Sequence, residues 1–324
     1  MLAVRRRQFM TLLGGAATWP IAAKGQQLDR LRLVGVLLLG NADAEFFLTE
    51  LREGLRKSGY VEGRNVLFEV RSADGKLDSL PRLAAELVAL QVDVIVAHFT
   101  LCALAAKQTT REIPIVFLAG DAVGSGLVAS LTRPGGNLTG MSAMAAELQG
   151  KCVELLRDML PNVRRVAALG YAADPFSKSF VDQVQLAGRA TGVEIDPIMM
   201  LNGPSEIDAA FAAMEKASTD AVVSGGTLST KHVADLALEH RLAAATNRRS
   251  FAEVGGLMSY GYHAPELYRR MASLVHGVLQ GNKPADMPVE QPTRFELVIN
   301  LKTAKALGLT IPESFLLRAD EVIE

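Results

Sequence analysis

Residues 92–118 read VDVIVAHFTLCALAAKQTTREIPIVFL, and this stretch decides the fold. Two runs of β-branched and leucine side chains, Val92 to Ala97 and Ile113 to Leu118, enclose a segment with an apolar helical pattern. A strand buried on both faces shows no alternation of polar and apolar residues, so it reads as such a continuous run. Two buried strands joined by a helix form a βαβ unit, whose crossover is right-handed. Upstream, Leu33 to Leu39 repeats the strand signature. Leu80, Leu83, Ala84, Leu87 and Val88 follow i, i+3, i+4, i+7, i+8, with Ser79 and Pro81 at the start where capping and first-turn preferences place them. The alternation predicts an α/β protein built on a doubly wound parallel sheet.

The rhythm breaks and then restarts. Strands are expected at Val166 to Leu169, Val193 to Ile198 and Ala221 to Val223, with helices near Pro175 to Ala190, Ser205 to Ala217 and Thr230 to Leu242. About 300 residues beyond the amino-terminal segment is long for one core, so the restart is read as a second lobe. The break, Gly120 to Gly140, is glycine-rich and reads as an inter-lobe hinge. A strong helix at Leu267 to Val278 and a late strand at Phe295 to Leu301 complete the pattern. The expected architecture is two doubly wound parallel-sheet lobes joined by a multi-crossing hinge. The first lobe takes 31–141 and 257–285, and the second takes 142–256 and 286–324.

Residues 1–25 carry a separate message. Arg6-Arg7 precedes an apolar Gly/Ala-rich run from Thr11 to Ala23, and Ala23-Lys24-Gly25 has small-x-small form. This is the order of a twin-arginine export signal, cut before Gln26 and too short to remain as a membrane span. A net charge of −1 with 21% charged residues excludes diffuse polyanion binding, and no nucleic-acid partner is expected. Cys102 and Cys152 sit in apolar helical patterns and are expected as free, buried thiols. The five histidines have no metal-ligand spacing, so neither metal nor cofactor is expected. Gly124-Ser125-Gly126-Leu127-Val128-Ala129 matches a dinucleotide fingerprint, but Pro134-Gly135-Gly136 leaves no length for the required helix.

In open α/β sheets ligands bind beyond the carboxyl ends of the strands. In the first lobe these ends offer Asn41 with Asp43, His98 with Thr100, Asp121 at the break, and Ser142 after it. In the second they offer Tyr171, Asp174, Gly226 and Thr227, while Tyr260 and Tyr262 flank a presumed crossing. Each has a plainer reading beside the functional one: Asn41 and Thr100 as helix caps, Asp121 as a turn former, Tyr171 as surface packing. Arg248 and Arg249 supply either a fork for a carboxylate or a solvated pair at a helix start.

With these segments in place, the chain resembles the bacterial ABC-transporter substrate-binding family that includes the tryptophan-binding TrpX-type proteins. The resemblance runs through GLRKSGYVEGRNV (54–66), IPIVFLAGDAVGSGLVASLTRPGGNLTG (113–140), GGLMSYG (255–261), GNKPADMP (281–288) and FELVINLKTAKALGLTIP (295–312). It implies a type I periplasmic-binding-protein fold, a small-molecule solute bound between lobes by hinge closure, an inner-membrane ABC permease as partner, a periplasmic monomer and no catalysis. The implied cleft segments are His98 to Thr100, Asp121, Ser142, Tyr171 and Ser224 to Thr227. The chain departs from the family at Thr100-Leu101 and Asp121-Ala122, where relatives often carry proline second, and at Ser224-Gly225-Gly226, where relatives often carry an acidic residue. Without that carboxylate an aromatic acid or amide stands beside an aromatic amino acid as the expected solute. A sensory module on the same scaffold and an exported hydrolase using Asp121 with His98 are the other readings.

Overall fold

The structure is a computed structural model that describes residues 30–40, 43–228 and 230–324. The proposed export signal and Asn41 lie outside the described residues.

The first sheet contains β1 (Arg32–Leu38), β2 (Val66–Ser72), β3 (Val94–His98), β4 (Ile115–Ala119) and β5 (Leu138–Ser142) in the order β2-β1-β3-β4-β5, all parallel. Its helices are α1 (Ala44–Lys57), α2 (Leu80–Ala89) and α3 (Thr100–Thr109). Because neighbouring side chains on a strand point to opposite faces, each strand feeds two cores. Val34, Val36, Val94, Val96 and Val116 pack under α1, while Leu37, Ile95 and Phe117 pack under α2 and α3. The continuous apolar runs in the sequence are the signature of this double burial.

The second sheet is built from β6 (Arg165–Tyr171), β7 (Glu194–Leu201), β8 (Ala221–Ser224), β9 (Ala243–Thr246), β10 (Met258–Tyr262), β11 (Phe295–Asn300) and β12 (Glu321–Ile323), in the order β12-β11-β10-β9-β8-β6-β7. The only antiparallel pair in these sheets among the described residues is β10 with β11. On one face lie α4 (Ala145–Met159) and α5 (Ser177–Thr191) against Val166, Ala168 and Val223. On the other lie α6 (Ile207–Lys216) and α7 (Lys231–Glu239) against Ala167, Leu169 and Val222. The chain also forms α8 (Arg249–Glu253), α9 (Ala264–Leu279), α10 (Leu301–Ala306) and α11 (Glu313–Leu316).

Two expectations about the crossings are corrected. Gly120 to Gly140 stays in the first lobe, because the strand it leads into, β5, pairs with β4 in the first sheet; the chain crosses after Ser142. Residues 257–262 belong to the second sheet, since β10 pairs with β9 and β11. The return to the first lobe therefore comes at His263, and α9 then packs Leu267, Met271 and Val275 onto the first core beside α1. Residues 284–290 run along the first lobe, where the Val289 amide donates to the Leu131 carbonyl and the Ser142 amide to the Glu290 carbonyl, before the last crossing into β11. The chain therefore passes three times between the two sheets. Buried apolar runs show that a strand lies in a sheet but carry no mark of which sheet.

Candidate functional site

The carboxyl ends of β3, β4 and β5 face those of β6, β8, β9 and β10 across a cleft. Its cavity volume is about 50 Å³, the remainder of the gap being open to solvent. The first lobe contributes Phe99, Thr100, Leu118, Ala119 and Gly120; the second contributes Asp174, Phe176, Thr227, Asn247, Arg248 and Tyr262.

Local constraints place these groups. Phe99, between β3 and α3, has φ of +88°, a conformation that non-glycine residues adopt only when their surroundings hold it. The hold is visible: Thr100 Oγ1 accepts a hydrogen bond from the Gly120 amide at 3.1 Å, tying the ends of β3 and β4 together. Gly226 lets the chain pass close to Asn247, whose Oδ1 would lie 2.9 Å from any added Cβ. That same oxygen accepts from Gln149 Nε2 at 3.3 Å, which fixes the amide at the base of the cleft.

Two charged groups stand out against the apolar lining. Asp174 is 7% exposed, accepts from the Phe176 amide at 3.1 Å and has no ion-pair partner among the described residues. Burial raises its pKa above the ordinary aspartate value, partly opposed by that amide. Arg248 is buried as well, lies 4.5 Å over the Phe99 ring, and places Nη2 3.0 Å from Asp43 Oδ2 of the first lobe. The chemistry on offer is therefore an aromatic-walled slot with a carboxylate on one lobe and a guanidinium that reaches across to the other.

The residues singled out in the sequence fall into three groups. Thr100, Asp174, Gly226 and Thr227 line the cleft, together with Tyr262 and Arg248. Asp121 and Ser142 lie beside it but are engaged by the fold. Asp121 Oδ1 accepts from the Gly124 amide at 2.8 Å and Oδ2 from Ser179 Oγ of the second lobe at 2.9 Å, while Ser142 Oγ accepts from the Ala122 amide at 3.1 Å. His98, Tyr171 and Tyr260 are absent from the lining. His98 is fully buried and stacked on Phe47, with ring centroids 4.2 Å apart, and Tyr260 packs on Phe295 at 6.2 Å. The hydrolase pairing of Asp121 with His98 loses its geometry, since one is held in a turn and the other in the core. Phe99 lies within the segment His98 to Thr100 that the resemblance implied, whereas Phe176 and Asn247 were not singled out. Asn247 follows β9, an Ala-Ala-Ala-Thr strand that propensity does not mark.

Both thiols are free and buried, with Cys152 pushed up to about 12 by desolvation. Gly124 to Ala129 forms turns rather than a phosphate-facing helix. Among the described residues no group of three or more potential ligands could hold a metal ion, and no helix is long and apolar enough to cross a membrane.

Two parallel-sheet lobes with a cleft between their strand ends define a bilobal solute-binding protein of the type I periplasmic-binding class. The model of the ABC transporter substrate binding protein family matches residues 42–323, and the chain belongs to that family. Its members are binding proteins, not enzymes. The chain is 26% identical to a tyrosine-binding protein of Clostridioides difficile over 261 residues, covering 79% of this chain and 75% of that one. It superposes with a TM-score of 0.86 on a conserved domain protein from Vibrio cholerae, at 27% identity and covering 90% of this chain and all of the other. An ABC domain from Streptococcus pneumonia in complex with L-Trp gives 0.85, also at 27% identity with the same coverage.

Proposed function

We propose that this protein is the extracytoplasmic solute-binding component of an ABC importer and that its solute is an aromatic amino acid. The observation that carries the solute class is Asp174. A buried carboxylate in a ligand cleft, with no cation among the described residues to neutralise it, is complementary to an ammonium group. It supplies from the strand end after β6 the negative charge that Ser224-Gly225-Gly226 lacks. Phe99, Phe176 and Tyr262 give the slot aromatic walls suited to a flat ring. The tyrosine-binding relative and the L-Trp complex support the same class.

Capture works by population shift, because a solute touching both lobes favours the closed form by its differential affinity for closed over open. Arg6-Arg7 and the apolar run after them support export to the periplasm, where the monomeric protein would hand its solute to an inner-membrane permease. Native mass spectrometry of the chain from Gln26 tests the reading. One aromatic amino acid released per protein is expected; a released sugar or aliphatic acid, or turnover of an added solute, would refute it.

A further inference from the structure

We propose that Arg248 is the anion-binding residue of the cleft, receiving the solute's carboxylate at Nε while the rest of its guanidinium joins the two lobes. The inference rests on the amino-acid reading above and assigns the second half of the zwitterion.

Arg248 is 6% exposed and lines the cleft. Its guanidinium is engaged on three sides: Nη1 donates to the Tyr262 hydroxyl, Nη2 faces Asp43 of the first lobe at 3.0 Å, and the group lies over the Phe99 ring. Neither Nε nor Nη2 makes a hydrogen bond among the described residues although both are fully buried; Nη2 has only its ion pair with Asp43, and Nε has no polar partner of any kind. An arginine N–H is always present and always a donor, so a buried, orphaned one is costly unless something accepts from it. A carboxylate oxygen is the strongest acceptor a small solute can bring.

The charge balance also has to close. Asp43 formally cancels Arg248, so the arginine alone would not attract an anion. Two long helices add to it: Thr100 at the start of α3 and Ala145 at the start of α4 both line the cleft, and each helix amino terminus carries about half a positive charge. Asp174 and Arg248 then define opposite ends of one zwitterion-binding slot. Because Asp43 and Phe99 belong to the first lobe and Arg248 to the second, the residue that receives the anion also holds the cleft shut.

The test uses three probes that share a phenyl ring: L-phenylalanine, phenethylamine with only the ammonium, and 3-phenylpropionate with only the carboxylate. Affinities are measured by calorimetry on the wild type, Arg248→Gln and Arg248→Lys, after thermal unfolding has shown which variants are folded. Arg248→Lys keeps the charge facing Asp43 and serves if Arg248→Gln does not fold. The proposal expects the variants to lose about tenfold or more for phenylalanine and phenylpropionate, and less than about threefold for phenethylamine. Equal losses for all three would mean that Arg248 acts only through lobe geometry, and no loss would mean that it touches nothing; either overturns the proposal. If the wild type binds phenylpropionate but neither amine, the amino-acid reading fails while the Arg248 prediction is still read on the acid. A folded wild type that binds none of the three overturns both.

Discussion

Asp174 and His98 are both buried ionisable side chains, and burial drives them in opposite directions. The Asp174 carboxyl is raised by desolvation, so the unliganded protein releases its proton at a higher pH than an ordinary aspartate. An ammonium needs that group ionised, and we expect affinity for amine-bearing solutes to fall with pH through the Asp174 titration, with proton release on binding seen as a buffer-dependent heat. Asp174→Asn should weaken such solutes about tenfold or more and flatten the acid limb of the profile; an unchanged profile would place the ammonium elsewhere. His98 lies in an apolar cage of Phe47, Phe99 and Tyr268, and desolvation, followed by repulsion from Arg248, holds it well below 6.5. Its folded pKa is lower than the unfolded one, so the unfolded state binds the extra proton and stability is lost as pH falls below about 6.5. Denaturant unfolding between pH 7 and 5 should show this loss in the wild type. A His98→Phe variant should reduce the slope by about one proton, equivalent to about 1.4 kcal/mol per pH unit.

At the scale of elements, close approach sets the positions of the binding groups. An added Cβ on Gly261 in β10 would lie 2.2 Å from the Asn247 carbonyl oxygen, a backbone atom that cannot swing aside. Gly261→Ala should therefore displace the Asn247–Arg248 turn, costing about 1–3 kcal/mol in denaturant unfolding and weakening solute binding together. On the far side of the first lobe, a Cβ on Gly54 of α1 would meet the Ala272 Cβ of α9 at 2.5 Å. Gly54→Val should cost a similar amount through helix separation but leave solute affinity within about twofold, because the contact is remote from the cleft. These contacts also explain what was readable in advance. Double-sided burial wrote β1, β3, β4 and β8 into the sequence as unbroken apolar runs, and strand ends then pointed to Thr100, Asp174 and Thr227. Leu138-Thr139-Gly140-Met141-Ser142 and Ala243-Ala244-Ala245-Thr246 are strands because neighbouring strands pair with them, not because their residues favour extended backbone. Asn247 was hidden behind the second of these although Arg248 beside it was legible as a fork for a carboxylate, and the glycine-rich segment was misread because turns within a lobe and crossings between lobes demand the same backbone freedom.

For the whole molecule, the two lobes meet through groups from distant parts of the chain. Arg248 reaches Asp43, and Ser179 reaches Asp121, so the described form is a closed one. Removing the first of these links with Asp43→Asn should shift the population toward an open form, seen as a larger radius of gyration in solution scattering without solute and partial recovery with saturating solute. Binding only to the closed, folded state also implies stabilisation of about 2.7 kcal/mol at a solute concentration one hundred times Kd. The measurement that tests the central claim most directly is a calorimetric titration of the chain from Gln26 with tryptophan, tyrosine and phenylalanine, run in parallel on Asp174→Asn. The account predicts one-to-one binding of at least one of the three and a loss of about tenfold or more in the variant. Binding of none, or equal affinity in wild type and variant, would contradict it.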